Sequence, residues 1–556
     1  MRLASEMECL FLKRTIIREA LRGTLPLLFL VVPFAFLFFR LLSTHMLAQK
    51  TDGLYSGGST WGDLAWHLSM ISNFVQRGAA AVRENPVFPG SRLSYPFVPD
   101  LISALLVRGG ISLQASLILP SLLSIVGFII ALYLLARSVG ASALGSVASV
   151  VLVLLNGSIV GMLYLWNDYR GAVSGPLALT ILRDDYSHLP EHNLRFSNFV
   201  CDLLLPQRAA DLGFCIGTVV LTLFWIYWRD FGRESLFYAA VLLSCLPLIH
   251  FHTFVALAIV AALLLLTELL FVEGRRRSDT ARAWSLFSLP MIIIALPQVL
   301  WILPGQAGHF LRPTLGWMKG NDSVWWFWLK NMSPHIFIFA LAYWFAKPKV
   351  KTFYLAFVAL FVLSNLVVFQ PHDYDNLKLM FWWFLMSCIV TGLMSDAFIR
   401  RSRLPGLLLS LVVVTTMIAT GSVAVWREVH LSWRMFSSDD IALAQFVKDH
   451  TSPDAIFLTS DRHNGPVSCL AGRRIVMGYR GWLWTHGINY HVREQDVIEM
   501  FRGSDHAIEL LKQYRVDYVL IEQDKIIDFH EDPEFFKSHF PIVYRSPNFT
   551  VLQIPH

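Results

Sequence analysis

The segment Ser59–Phe74, "STWGDLAWHLSMISNF", combines an apolar side with an acidic one. On a helix, residues four positions apart share a face, so Asp63 and His67 would lie together. The opposite face carries three apolar side chains, Leu64, Leu68 and Ile71. A helix of this length is too short to cross a bilayer. We expect it to lie along the membrane surface, with its apolar face in the lipid and Asp63 turned towards protein or water.

The composition of the chain indicates a membrane protein. Of its 556 residues, 55% are hydrophobic and 15% are charged, and the mean hydropathy is +0.52. A soluble globular protein carries nearer a quarter of charged residues. The formal net charge of +6 is small, and the basic residues cluster in short loops. That pattern indicates membrane orientation and contact with lipid headgroups, and it excludes a nucleic-acid-binding surface.

The six cysteines and the amino terminus add two expectations. No pair of cysteines has the spacing of metal ligands, so the sequence predicts neither a zinc site nor a disulfide framework. The amino-terminal bases precede an apolar run of about the length of a span. Because no small-residue cleavage site follows, we expect this run to be a retained first helix.

Eleven segments have about the length and apolarity of a membrane span. They are roughly 24–46, 112–136, 142–164, 209–228, 235–251, 253–272, 283–304, 329–346, 352–370, 379–398 and 405–426. Basic loops stay in the cytoplasm, which places the amino terminus inside. The inner loops are then Arg137, 227–235, 273–283, 346–351 and 400–404, and the outer segments are 47–111, 165–208, 305–328, 371–378 and the tail from about 427.

The sequence therefore predicts a polytopic α-helical membrane protein with about eleven transmembrane helices in residues 1–430 and a large first outer loop at 47–111. Residues 431–556 are predicted to form a small extracytoplasmic α/β domain. Its helix-type segments, such as "SSDDIALAQFVKDH" and "VREQDVIEMFRG", alternate with the short strand-type runs "AIFLTS" and "VDYVLIE".

This arrangement resembles the GT-C superfamily. The shared features are a long outer loop after the first span, an acid early in it, two short membrane-lying segments at 60–77 and 97–108, many spans and an outer carboxyl-terminal domain. GT-C members are membrane glycosyltransferases that use polyprenyl-phosphate sugars, such as the protein O-mannosyltransferases and the aminoarabinose transferases. Many of them carry paired acids at this place, whereas this chain has the single acid of "GD", with Asp52 eleven residues earlier.

The resemblance implies sugar transfer from a polyprenyl-phosphate donor to an acceptor, which is a glycan, a lipid or a protein. The acceptor nucleophile attacks the sugar C1, the lipid phosphate leaves, and the anomeric configuration inverts. One carboxylate must take the acceptor proton within hydrogen-bond reach, and Asp63 is our candidate for that base. His67 would hydrogen-bond Asp63 or the acceptor, or it would be a structural histidine.

The departing phosphate requires cations or hydrogen-bond donors near the membrane surface. Arg208 lies just before one predicted span, and Lys378 lies at the outer end of another. We take both as candidate ligands of the donor phosphate. A basic side chain at the end of a span also snorkels to lipid headgroups, and that alternative stays open for both residues.

Five further polar residues are candidates for binding substrate or a metal ion: Asp168, His250, His252, Asp373 and Asp375. For the two histidines, a buried hydrogen-bonded role is favoured, because no acid lies between them. Some GT-C members need a divalent ion and others do not, so Mg²⁺ or Mn²⁺ is a candidate cofactor that the sequence does not establish. The Trp- and Gly-rich segment 478–487, "GYRGWLWTHG", is a candidate lid over the membrane cavity.

Two other classes of protein fit the same architecture. A secondary transporter or a flippase has a similar number of spans, but it usually shows inverted repeats and ionisable residues at mid-membrane. A non-catalytic scaffold or receptor, with the tail as its binding domain, is the third alternative. An outward-facing site fits a bacterial or archaeal cell membrane as well as the endoplasmic reticulum, and the carboxyl-terminal "VLQIPH", which is not a retention signal, favours the former.

Overall fold

A computed structural model of the chain describes residues 2–170, 182–272, 275–303, 311–523 and 532–555, with side chains from residue 24 onward. The predicted inner loop 273–283 and the predicted outer segments 165–208 and 305–328 lie partly outside these ranges. The helices of the membrane part are α1 (Arg2–His45), α2 (Trp61–Arg77), α3 (Val98–Arg108), α4 (Leu113–Val139), α5 (Ala143–Leu154), α6 (Ile159–Tyr169), α7 (Arg208–Asp230), α8 (Arg233–Ser244), α9 (Phe251–Phe271), α10 (Arg277–Pro290), α11 (Leu296–Ile302), α12 (Val324–Met332), α13 (His335–Phe345), α14 (Pro348–Leu366) and α15 (Leu377–His430). Its strands are β1 (Ala48–Lys50), β2 (Gly53–Ser56), β3 (Arg312–Pro313) and β4 (Val367–Val368).

In the described part of the chain, the long apolar helices number fewer than the predicted spans, in part because two predicted spans fall within one long helix. Among the described residues, seven helices are long and apolar enough to cross a membrane, or eight when α5 and α6, which meet at 55°, count as one bent span. The predicted count of about eleven is therefore not confirmed. Where a span was expected at 235–251, α8 has only 12 residues. Such a helix rises about 18 Å, which is less than the roughly 30 Å of the hydrocarbon core.

Two predicted spans, 379–398 and 405–426, both fall within α15. This helix is interrupted by non-helical backbone at Ser402 and Arg403, where Arg403 has φ 34° and ψ −102°. Its two arms fold back on each other, since the Ser410 hydroxyl donates to the Ser395 carbonyl oxygen at 3.4 Å. The basic segment 400–404 thus forms the turn of a helical hairpin.

The first arm of α15 packs against α5 through small residues. A Cβ atom on Gly392 would clash with the carbonyl oxygen of Gly145, so the two backbones are in direct contact. Close approach of helix backbones through small residues is typical of packing within a membrane. Large apolar side chains face outward instead, as lipid-facing surfaces require; examples are Phe29, Leu123, Ile293 and Trp344.

The tail contains both helices and strands. Its helices are α16 (Ser438–His450), α17 (Pro466–Cys469), α18 (Arg480–Thr485), α19 (His491–Arg502), α20 (Asp505–Gln513) and α21 (Pro533–His539). Its strands are β5 (Trp433–Ser437), β6 (Ile456–Leu458), β7 (Arg474–Ile475), β8 (Tyr518–Glu522), β9 (Ile542–Arg545) and β10 (Phe549–Gln553). Five of these strands form a sheet in the order β7-β6-β8-β10-β9. In it β6 is parallel to β7 and β8, and β10 is antiparallel to β8 and β9.

Several tail elements lie where the sequence predicts them. The helix "SSDDIALAQFVKDH" is α16, and it begins with a capping box between Ser437 and Asp440. The two strand-type runs become β6 and β8. The remaining strand, β5, pairs with β2, and β2 pairs with β1, so the start of the tail joins the first outer loop in one antiparallel sheet. A separate domain with a boundary at 431 stays a prediction.

Candidate active site

The start of α2 is fixed by the ends of two long helices. The Glu428 carboxylate, near the end of α15, accepts a hydrogen bond from the Ser59 amide at 2.7 Å. The same carboxylate lies 3.0 Å from Nε2 of His45, the last residue of α1. These contacts are buried. They hold the first turn of α2, which contains Asp63, in one place relative to the membrane helices.

The expectation that the apolar face of α2 contacts lipid is wrong. Three side chains that were expected in the lipid are each no more than 1% exposed: Leu64, Leu68 and Ile71. The tail lies against this helix, because the Ser72 hydroxyl donates to the Cys469 carbonyl oxygen at 2.7 Å and the Asn73 amide donates to that of Gly472 at 3.1 Å. By contrast, α3 does expose apolar surface, with Leu105 60% exposed.

Asp63 is a half-buried carboxylate without a bonded partner. Within the described ranges, no hydrogen bond or ion pair of its side chain is found. Burial raises the pKa of Asp63, and a protonated His67 and the Lys378 ammonium would each oppose that rise. Asp375 raises the pKa further, and His372 lowers it. The carboxyl group therefore lies within electrostatic range of both positive and negative groups that come from distant parts of the sequence.

Lys378 and Asp375 form the nearest of these groups. The Lys378 ammonium lies 3.0 Å from the Asp375 carboxylate, and the other oxygen of that carboxylate is 3.9 Å from His252 Nε2. The His250 ring lies 5.3 Å from the His252 ring, between centroids. Lys378 itself is only 8% exposed. The structure thus brings four of the predicted site residues together, and two of them, Lys378 and Asp375, lie within electrostatic range of Asp63.

Two predicted site residues have partners elsewhere. Asp373 is exposed and forms an ion pair with Arg312. The Asp168 carboxylate accepts a hydrogen bond from the Tyr186 hydroxyl at 2.8 Å. Their roles in binding substrate or metal stay predictions, and neither residue contributes to the geometry around Asp63.

His67 and Arg208 meet at a residue that was not predicted to belong to the site, Asp100 on α3. The Asp100 carboxylate lies 2.9 and 3.0 Å from His67 Nδ1 and accepts a hydrogen bond from Arg208 Nη1 at 2.8 Å. The residues are buried, with exposures of 2% for His67, 0% for Asp100 and 2% for Arg208. Arg208 therefore forms a buried ion pair with Asp100.

Part of Arg208 remains without a partner. Its Nη2 donates to the Ser103 hydroxyl at 2.6 Å, but its buried Nε makes no hydrogen bond within the described part of the chain. The side chain also lines a cavity of about 200 Å³ between α3, α4 and α7. Its predicted contact with a donor phosphate stays a prediction.

The tail segment 478–487 lies against the site. The ring of His486 is 4.6 Å from Trp66 and 4.8 Å from Tyr95, between centroids, and Trp484 is 5.9 Å from His372. Burial lowers the pKa of His486 to about 4, so this histidine is neutral near pH 7. Aromatic residues of the tail therefore cover the polar groups around Asp63.

A second acidic group lies on the neighbouring segment before α7. The Tyr374 hydroxyl donates to Asp202 at 2.5 Å, and His188 Nδ1 lies 3.5 Å from the same carboxylate. Burial and the negative charge of Asp202 raise the pKa of Asp185 to about 6. Because Tyr374 is next to Asp375 in the sequence, this group adjoins the Lys378 side of the site.

Side chains that bind metal ions are not grouped into a metal site among the described residues. In the ranges that the structure describes, no group of three or more His, Cys, Asp or Glu side chains has the arrangement of a metal site. We therefore assign no chemical step to Mg²⁺ or Mn²⁺.

Sequence reasoning missed Asp100, Asp202 and His486 as members of the site. Asp100 and His67 are separated by 33 residues and Asp100 and Arg208 by 108, so no local pattern links them. The one available signal was the Trp- and Gly-rich composition around His486, which had already marked 478–487 as a candidate lid.

Comparison with known proteins gives matches at the level of structure. No family model matches the sequence, and no curated protein sequence matches it either. ArnT from Cupriavidus metallidurans, in its apo crystal structure, superposes with a TM-score of 0.51 at 12% identity, over 94% of this chain and 97% of ArnT. The arabinofuranosyltransferase AftD from Mycobacteria also has a TM-score of 0.51 at 12% identity, over 90% of this chain and 40% of its own.

A third similar structure is the oligosaccharyltransferase of Archaeoglobus fulgidus in its apo form. It has 13% identity and a TM-score of 0.49, over 90% of this chain and 70% of its own. ArnT is matched along almost its whole length, whereas this chain spans about 40% of AftD. At these identities the likeness concerns the fold alone, and the chain shares the fold of ArnT and AftD.

Proposed function

We propose that the protein is an integral-membrane glycosyltransferase that moves a sugar from a polyprenyl-phosphate donor to an acceptor on the extracytoplasmic side. The observation that carries this proposal is Asp63. It is a half-buried carboxylate with a raised pKa and no bonded partner among the described residues, and it lies within electrostatic range of the Lys378–Asp375 ion pair. A general base needs a pKa close to the working pH and an unoccupied oxygen.

The proposed reaction is a single displacement. Asp63 takes the proton of an acceptor hydroxyl, and the hydroxyl oxygen forms a bond to the sugar C1. The bond between C1 and the phosphate oxygen breaks, and its electron pair leaves with the lipid phosphate. Attack from the face opposite the leaving group inverts the anomeric configuration.

Lys378 is the cation that we assign to the departing phosphate. It is almost buried, and its charge influences Asp63, so it lies on the same side of the site as the base. A cation in such a position stabilises the negative charge that develops on a leaving phosphate. Arg208 is less suited, because Asp100 and Ser103 already occupy its two terminal nitrogens.

The aromatic cluster that α2, the first outer loop and the tail form together supports the same proposal. Trp66, Tyr95 and His486 pack over the polar groups, and such surfaces suit sugar rings and exclude water. The GT-C fold, with AftD as a named arabinofuranosyltransferase among its members, is consistent with sugar transfer. The sugar, the acceptor and the lipid carrier are not determined by these observations.

The test begins with the glycolipids and glycoproteins of cells with and without the gene, compared by mass spectrometry. Cells that lack the gene are then given the wild type, Asp63→Asn or the control Asp52→Asn. Asp52 is an exposed carboxylate of the same loop, which accepts a hydrogen bond from the Tyr55 hydroxyl at 2.9 Å. The wild type and Asp52→Asn should restore the missing glycan, and Asp63→Asn should not.

The outcomes separate the alternatives. Restoration of the glycan by a folded, membrane-inserted Asp63→Asn protein would contradict Asp63 as the base. A lipid-linked sugar that fails to cross the membrane in cells without the gene, and crosses again with Asp63→Asn, would instead indicate a flippase. The anomeric configuration of the product, determined by NMR against that of the donor, tests inversion.

A further inference from the structure

The ion pair beneath the site determines which nitrogen of His67 carries a proton. An ionised carboxylate only accepts hydrogen bonds. Asp100 receives one hydrogen bond from Arg208 at 2.8 Å, and its two oxygens lie 2.9 and 3.0 Å from His67 Nδ1. A carboxylate paired with a buried guanidinium is held in its ionised form, so Nδ1 must be the donor.

When the His67 ring is neutral, its other nitrogen, Nε2, is an acceptor. A neutral imidazole with its proton on Nδ1 has a bare Nε2, and no hydrogen bond of Nε2 is found among the described residues. Three further groups act on His67. Asp63 lies on the same helix, and Tyr95 and His486 lie on neighbouring segments. Asp63 lies one turn before His67, on the same face of α2.

The alternative tautomer would have a different effect on the site. With its proton on Nε2, His67 would be able to donate a hydrogen bond towards Asp63. A hydrogen bond to the charged form of a carboxyl group lowers its pKa and weakens it as a base. Keeping the proton on Nδ1 leaves the Asp63 carboxylate without such a donor and gives a substrate hydroxyl an acceptor at Nε2.

We infer that Asp100, supported by Arg208, is a positioning residue that holds the proton of His67 on Nδ1 and presents Nε2 as a hydrogen-bond acceptor for a hydroxyl of the sugar or of the acceptor. This inference rests on the proposed function, because it concerns the environment of the proposed base. It also gives Arg208 a role in the site that does not involve the donor phosphate.

Asp100→Asn changes the chemistry of the pair with little change in shape. Arg208 is a pure donor, so it should retain the amide oxygen of the new side chain. The amide nitrogen, which is also a donor, then faces His67. Nδ1 must accept that hydrogen bond, and the proton of a neutral ring moves to Nε2. The expected result is an inverted tautomer.

The experiment is magic-angle-spinning NMR of the full chain in bilayers, with ¹⁵N- and ¹³C-labelled histidine. The chain has 18 histidines, so the His67 signals are identified by their loss in His67→Gln. In the wild type, Nδ1 should have the shift of a protonated nitrogen and Nε2 that of a bare one, and Asp100→Asn should exchange them. Ser103→Ala, which removes the second partner of Arg208 and a hydrogen bond to the Ser116 carbonyl oxygen but leaves Asp100 intact, should leave the His67 signals unchanged.

The readout is independent of activity. A wild-type His67 with a proton on Nε2, either as the other neutral tautomer or as a doubly protonated ring, would overturn the inference even if Asp100→Asn did not fold. Unchanged His67 signals in a folded Asp100→Asn protein would also overturn it. If the His67 signals behave as expected but the wild-type gene does not restore the missing glycan in cells that lack it, the positioning role of Asp100 is supported and the proposed function is contradicted. If glycan is restored and the tautomer does not respond, the proposed function stands and the positioning fails.

Discussion

Asp63 and Asp100 are two carboxylates of the first outer loop that differ in burial and in bonded partners. Asp100 is 0% exposed and is bound by both His67 and Arg208. Asp63 is half-buried, and no partner binds its carboxylate within the described ranges. His67, which lies one turn after Asp63 on α2, binds Asp100. A fully paired carboxylate organises its neighbours, whereas an unpaired one keeps its oxygens available for a proton.

The largest expected effect comes from removing the unpaired charge. Asp63→Asn should lower the rate of sugar transfer by about 10²- to 10⁴-fold, the usual contribution of a general base. The same variant should unfold at an equal or higher temperature than the wild type, because burial raises the pKa of Asp63 and so penalises its charged form in the folded protein. The rate of sugar transfer and the unfolding temperature are measured on protein in detergent or vesicles.

A loss of thermal stability in Asp63→Asn, together with the loss of activity, would contradict this assignment. It would mean that Asp63 stabilises the fold through contacts like those of Asp100. The exposed Asp52 provides the control, and Asp52→Asn should change neither the rate nor the melting temperature appreciably.

The second effect tests the paired carboxylate. Asp100→Ala leaves Arg208 buried without its charge partner and should lower the free energy of unfolding by about 3–5 kcal/mol. The double variant Asp100→Ala with Arg208→Met should recover much of that loss, because neither member of the pair then remains as an unpaired buried charge. Denaturant titration of the solubilised protein measures both. Equal destabilisation of the single and double variants would show that the ion pair is not what makes Asp100 important.

The third effect is a pair of opposite shifts in the pH dependence of transfer. Lys378 lowers the pKa of Asp63 and Asp375 raises it. Lys378→Met should therefore move the acid limb of the kcat/KM profile to higher pH, and Asp375→Asn should move it to lower pH. The sign follows because the base works only when ionised. Shifts in the same direction would show that the limb belongs to a group other than Asp63.

The smallest effect concerns the cover over Asp63. Burial lowers the pKa of His486 to about 4. Unfolded histidine takes up a proton below about pH 6.5, so the wild type should lose stability as the pH falls from there towards 4. His486→Phe keeps the ring contacts with Trp66 and Tyr95 but cannot be protonated, so it should not show this loss of stability. Its melting temperature should fall less than that of the wild type between pH 6.5 and 5, and an identical fall would contradict the prediction.

The comparison of α2 with α3 shows where sequence reasoning fails. Both segments are short and apolar, and both were expected at the lipid surface. Only α3 keeps exposed apolar side chains such as Leu105, at 60% exposure. The tail, some 400 residues further along the chain, contacts α2 through Ser72 and Cys469, whose separation is 397 residues. Hydropathy reports that a face avoids water, but not whether lipid or protein replaces it.

The site was predicted in part for a related reason. Asp63 and His67 were identifiable because they are one turn apart on a single helix, and Lys378 because it lies among polar residues at the end of an apolar run. Arg208 was also identified, but with a contact that its pairing with Asp100 does not favour. A basic residue at the end of a span has the same sequence pattern whether its partner is a phosphate or a buried carboxylate.

Local sequence was sufficient for the membrane class, most of the apolar helices and the helix and strand types of the tail, because hydropathy over about 20 residues and the short periods of helices and strands are local properties. Three-dimensional packing was needed to pair Asp100 with His67 and Arg208, to leave Asp63 unpaired and to place His486 beside Trp66. Ionic and aromatic contacts depend on distances of a few ångströms between residues that can be hundreds of positions apart. Folding alone determines those distances.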